Sequence, residues 1–168
     1  MRMQGYIIGL VVLGASVLLL TGCVGLSRLA KQSQDPSMAR SSFQAGDFSA
    51  CPPSPNCVNS QAEMTDSQHY IPPFRYDVSR EDAQNYLLSL LEDLPRTEIL
   101  ESTSDYIWVQ IQTGLFGFTD DLEFYLPEEH PIIHVRSASR VGYSDLGANR
   151  NRVEDLREIF QEQVTVLR

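Results

Sequence analysis

Apolar residues fall into a helical period in two stretches of the chain and into an alternating period in three others. From Ala83 the order Tyr86, Leu87, Leu90, Leu91, Leu94 follows the 3,4 spacing of one buried helical stripe. Ser79 can cap that helix and Pro95 stops it. A second helix is predicted from about Arg152 to Val164, with Val153, Leu156, Ile159, Phe160 and Val164 as its stripe. Asn151 with Glu154 three positions on resembles a capping box at its start.

Three strands are predicted between the helices. Tyr106 to Gln112 puts Ile107, Val109 and Ile111 on one face, and Tyr106, Trp108 and Gln110 on the other. Thr119 to Leu126 sends Leu122, Phe124 and Leu126 inward, and Asp121, Glu123 and Tyr125 outward. Pro131 to Arg140 sends Ile133 and Val135 inward, and His134, Arg136 and Arg140 outward. Thr97 to Glu101 is a short further strand, and His69 to Tyr76, broken by Pro72 and Pro73, is at best an edge strand. A loop over Pro127–His130 would set Phe124 opposite Ile133, Glu123 opposite His134 and Asp121 opposite Arg136.

Strand, helix, four strands, helix implies an α+β fold. Its antiparallel sheet of four to five strands carries two helices on one face, in a TATA-binding-protein-like or helix-grip-like arrangement.

The N-terminus is a different kind of sequence. Arg2 precedes an uncharged, largely apolar run, Tyr6 to Leu20, and then Leu20-Thr-Gly-Cys23. That anatomy is a secretory signal whose end resembles the bacterial lipobox, with cleavage before Cys23 and lipid, palmitate included, on its sulfur. An uncleaved membrane helix is the competing reading, weakened by five glycines between Gly5 and Gly25. Val24 rather than aspartate after the cysteine favours the outer membrane over the inner. The predicted organisation is a signal peptide over 1–22, a flexible Ser-, Gln-, Gly- and Ala-rich tether over 23–50, and a single domain over 51–168. The domain would face the periplasm.

With Cys23 lipidated, Cys51 and Cys57 remain as an even pair in an oxidising compartment. A disulfide is the expected outcome, against a metal site without nearby ligands or free thiols without redox spacing.

Charge narrows the function. Asp and Glu number 22 against 13 Lys and Arg, a net charge of −9, which disfavours a nucleic-acid binder. Lys31 is the single lysine, so the domain has no Schiff-base candidate and no Walker A loop. Against that background Arg136, Arg140, Arg150 and Arg152 fall within seventeen residues, with Ser137 and Ser139 among them. They could form a pocket for a carboxylate or phosphate. Alternatively, Asp120, Asp121, Glu123 and Asp145 neutralise them inside the fold, and the near-equal numbers favour this second reading. Other templates fit poorly. No nucleophile-elbow pattern surrounds a serine, Asp120 and Asp121 face opposite ways, and His69, His130 and His134 lack compact metal-ligand spacing. No cofactor or metal is implied, and Tyr106, Trp108 and Tyr125 on the polar sheet face either stack on a sugar or partner or, the favoured reading, pack under a loop.

The stretches Cys51 to Val58, Phe116 to Phe124 and Arg136 to Arg152 together resemble the domain of unknown function 1499 family, with Asn59 standing where serine is expected. Members of that family are often secreted or lipid-anchored in bacteria, and the resemblance supplies no activity or catalytic residue. Two function classes follow. One is a non-catalytic envelope module, membrane-bound through its lipid, that binds an envelope protein or a small anionic ligand. The other is a periplasmic hydrolase or anionic-ligand-processing enzyme, using the Arg136–Arg152 region with one of its serines near His134 or an acid.

Overall fold

The computed structural model describes residues 25–38, 41–114 and 117–166. The expected signal segment, Cys23 and the motif residue Phe116 lie outside the described residues. Among the described residues eight strands are formed: β1 (Phe43–Gln44), β2 (Asp47–Phe48), β3 (Cys57–Asn59), β4 (Phe74–Arg75), β5 (Thr97–Ser102), β6 (Tyr106–Gln112), β7 (Thr119–Tyr125) and β8 (Ile132–Ser139). The helices are α1 over 25–33, α2 (Arg80–Glu92) and α3 (Ala148–Val166).

β3 to β8 make one antiparallel, six-stranded sheet in the order β3-β8-β7-β6-β5, with β4 also on β8. The α+β class and the two helices on one face are as the sequence implied, with one more strand than expected. The extra strand arises because the edge is split. β3 pairs with residues 136–138 and β4 with residues 132–133 of the same β8. Across the gap Ser60 N donates to Val135 O at 2.9 Å, and Val135 N donates to Ser60 Oγ at 2.9 Å. A serine side chain there completes the ladder where the chain leaves the sheet.

Alternation places Ile107, Val109, Leu122, Phe124, Ile133 and Val135 on one face, all fully buried. Against them pack Ala83, Leu87 and Leu91 of α2 and Val153, Leu156 and Phe160 of α3. Ile159 is partly exposed and leaves the predicted stripe. Ser79 caps α2, its Oγ accepting from Asp82 N at 3.0 Å, and acidic Glu81 and Asp82 suit the positive helix end.

Two local expectations are corrected. Phe124 faces Val135 and Glu123 faces Arg136, a slip of two residues from the predicted register. A slip of two leaves every side chain on its own face, so alternation could not detect it. Pro131 has no N–H to give to a ladder, and its carbonyl accepts from Tyr76 N at 3.2 Å, so β8 starts later. α3 starts at Ala148, four residues before the expected Arg152. Asp145 caps it, accepting from Gly147 N at 3.0 Å and Asn149 N at 2.8 Å, while Asn151 N already makes a helical bond to Gly147 O.

Within the stretch expected as a flexible tether, the end of α1 and residues 41–49 pack instead on the other face of the sheet. β1 and β2 form a hairpin with Phe43 opposite Phe48. Its loop, Ala45-Gly46, has φ of 54° and 97°, the pattern of a tight type I′ turn. Phe43 stacks on Tyr106 with ring centroids 4.5 Å apart and lies 4.9 Å from the Tyr125 ring. At the end of α1, Ala30 and Ser33 are buried, and Ser33 Oγ accepts from Thr119 N at 2.9 Å.

Candidate functional site

Two polar clusters sit on opposite faces of the sheet because β7 and β8 alternate. On the face under the N-terminal segment, Asp121 and Arg140 meet through two bonds. Nε donates to Oδ2 at 2.9 Å and Nη2 to Oδ1 at 2.7 Å. Arg140 also reaches Gln110 Oε1 and Ser33 O, and Trp108 Nε1 donates to Asp121 Oδ1 at 3.0 Å. Beside this pair, Glu123 is fully buried and lies 3.4 Å from Arg136 Nη1. Arg136 Nε donates to Ser49 O at 3.0 Å. Burial pulls the Arg136 guanidinium below its usual range, and Glu123 and then Asp121 oppose that pull. Tyr106 donates to Glu123 Oε1 at 2.6 Å; burial, then this carboxylate, drives its hydroxyl far above the usual tyrosine range. It therefore remains a donor.

On the helix-bearing face, Arg152 Nη2 lies 2.6 Å from Asp120 Oδ2. Its Nη1 donates to Ser137 Oγ at 3.1 Å and to Asn149 Oδ1 at 2.9 Å. Asn149, fully buried, ties the start of α3 to the sheet by donating to Asn56 O, Ser139 Oγ and Asp145 Oδ2. Asp120 Oδ1 has no hydrogen-bond partner among the described residues. Arg150 belongs to neither cluster and donates to the carbonyls of Ser67, Gln68 and Tyr70.

The six residues read as one possible anion pocket are thus split three ways: Arg136 and Arg140 on one face, Ser137, Ser139 and Arg152 on the other, and Arg150 in the first turn of α3, directed at the carbonyls of the Ser67–Tyr70 segment. Asp120, Asp121 and Glu123 are the acid partners, whereas Asp145 serves as the helix cap rather than an arginine partner. The register slip moved Asp121 from Arg136 to Arg140 and Glu123 onto Arg136.

A concavity of about 480 Å³ lies where the ends of α2 and β6 meet the start of α3. Leu94, Pro95, Ile111, Leu156 and Ile159 give it a largely apolar wall, and Arg152 reaches its edge. Since Arg152 is bonded to Asp120, its charge is compensated inside the protein.

One contact went unseen in the sequence. Ser60 Oγ lies 3.1 Å from His134 Nδ1. Burial pulls the His134 imidazole below its usual range, with Asp47 opposing, so the neutral ring can accept from Ser60. Because Ser60 is 74 residues from His134, only the β3–β8 edge pairing brings the two together. Ser137 and Ser139 are instead bonded to Asn149, and Ser144 Oγ accepts from Leu146 N.

Cys51 and Cys57 form the expected disulfide, at the point where the N-terminal hairpin joins β3. Among the described residues no group of three or more His, Cys, Asp or Glu side chains gathers to hold a metal ion. Nor is any described helix long and apolar enough to cross a membrane.

No curated protein and no solved structure matches the chain. A family model described as a protein of unknown function, DUF1499, matches residues 47–160, which take in β2 to β8, α2, α3 as far as Phe160 and both charge clusters. The chain belongs to the DUF1499 family of proteins of unknown function.

Proposed function

We propose that this protein is a lipid-anchored envelope module that binds a partner protein and is not a catalyst. The anchor is Cys23, released as the new N-terminus by signal cleavage and acylated. The domain faces the periplasm, with the outer membrane favoured. The lipobox order Leu-Thr-Gly-Cys after an apolar run supports the anchor. One observation carries the binding reading. Arg136, Arg140 and Arg152 each already hold an internal carboxylate, which leaves a small anion little to attract it. That favours a protein partner over an anionic small ligand.

The test has two arms. In a diderm host, Cys23→Ala should release the protein from the membrane fraction and abolish palmitate incorporation; unchanged partition would overturn the anchored reading. A thermal-shift series with phosphates, carboxylates and peptidoglycan fragments should leave the melting temperature unmoved. A saturable rise lost in Arg140→Ala would overturn the partner reading and restore the anion pocket.

A hydrolase is the second reading, and the Ser60–His134 contact is its support. Ser60 is 7% exposed and its Oγ accepts the Val135 N–H, so the serine closes the sheet edge rather than opening onto a cleft. Labelling by a fluorophosphonate, lost in Ser60→Ala, would favour the enzyme.

A further inference from the structure

Glu123 gathers five polar contacts, and three of them come from the N-terminal hairpin. Ser42 N donates to Oε1 at 2.7 Å and Ser42 Oγ to Oε2 at 2.6 Å, with Ser41 Oγ 3.3 Å from Oε1. Tyr106 and Arg136 supply the other two. Around this carboxylate, Tyr106 and Tyr125 form an aromatic platform that takes the Phe43 ring. Arg136 Nε and Asn59 Nδ2 both donate to the Ser49 carbonyl, and Gln61 bonds Phe48 N and Gly46 O. The domain therefore grips its own hairpin as a recognition cleft grips a ligand: main-chain N–H and C=O groups, a hydroxyl and one aromatic ring.

A face that only needed covering would be cheaper to make apolar, because a buried carboxylate demands full compensation. Glu123, Tyr106, Tyr125 and Arg136 all lie within the family match at 47–160, while Ser41, Ser42 and Phe43 lie before it. The charged cleft belongs to the domain that defines the family, and half of its cover does not.

We infer that this face is a cleft for an extended peptide bearing a hydroxyl residue followed by an aromatic one, and that the Ser41–Ser49 hairpin occupies it in cis as a displaceable strap. The inference rests on the binding-module reading and names its surface and partner class. The strap's root is held by the Cys51–Cys57 disulfide, and its other end leads back towards Cys23, so it lies between the proposed anchor and the domain. Covalent attachment gives it a high effective concentration, which an incoming peptide must overcome.

Hydrogen exchange on the wild-type chain from residue 24 is the first measurement. The amides of Ser42, Phe48 and Ser49 should exchange together, at least a hundredfold faster than those of β6 to β8. Exchange of both sets only through global unfolding would overturn the strap. The second measurement uses a fluorescein-labelled peptide of this chain's residues 40–50. It should bind a Ser42→Ala/Phe43→Ala variant of the full mature chain at least tenfold more tightly than wild type, and the same changes made in the peptide should abolish binding. Equal binding to both proteins, or none to a folded variant, would overturn the cleft. If the variant fails to fold, the wild-type exchange result decides. None of these outcomes touches the Cys23 fractionation arm, so failure of the anchored reading would be seen separately.

Discussion

Ser42 is joined twice to Glu123, by its amide to one carboxylate oxygen and by its hydroxyl to the other. A fully buried charge of this kind is stable only while its lone pairs are filled. Ser42→Ala keeps the amide bond and removes the hydroxyl. The expected loss is about 1–3 kcal/mol, typical of a hydrogen bond to a charged group. Thermal melts of the mature chain would read it as a fall of several degrees. An unchanged melting temperature would mean that water fills the vacated site at no cost.

At α3 the two candidate caps can be separated. Asp145→Ala removes acceptors used by Gly147 N, Asn149 N and Asn149 Nδ2, and should destabilise by roughly 1–2 kcal/mol. Asn151→Ala, one turn inside the helix, should change stability by less than about 0.5 kcal/mol. Equilibrium urea unfolding of both variants checks the ranking. The reverse order would restore Asn151 as the start of the helix.

Both core-facing helices and β6 to β8 were legible because their side chains keep one period over six or more residues, whereas β5, bulged between Ile99 and Glu101, showed only as a short strand. Three things were not. Register between β7 and β8 was open to even-numbered slips, which preserve every inward and outward assignment, and so the arginine–acid partners were misassigned although the acids near the arginines were plain. β1 and β2 are two residues each, too short for any period, and hold to the domain through serine hydroxyls and main-chain groups rather than an apolar stripe. Phe43 and Phe48, two aromatics in a polar stretch, were the available signal. The Ser60–His134 contact depends on a strand of three residues preceded by the proline-rich stretch Pro52–Pro55, and nothing local in the sequence announces it.

His134 supplies a pH dependence whose sign is fixed. Its folded pKa lies below the unfolded value of about 6.5 because the ring is desolvated. At pH 8 both states are neutral there. As pH falls through about 6.5 the unfolded chain takes up the proton first, so stability declines from that point until the lower folded pKa is passed. Unfolding free energies between pH 8 and 5 should show the decline, and His134→Gln should flatten it. A wild-type profile flat across that range would sink the assignment.

Arg140 and Asp121 offer the sharpest contrast between buried and exposed charge. Their side chains are 2% and 9% exposed and share two short bonds, whereas Arg80 and Glu128 lie 3.9 Å apart with Glu128 82% exposed. Removing one buried partner strands the other without solvent, so Asp121→Asn or Arg140→Ala should each cost about 3–5 kcal/mol. Glu128→Gln should cost under about 0.5 kcal/mol. The two buried changes share one interaction, so the double variant should lose much less than the sum of the singles. Urea unfolding of the four proteins of that cycle measures the coupling. Additive losses would show that Trp108, Gln110 and the Ser33 carbonyl, rather than the ion pair itself, hold these two side chains in place.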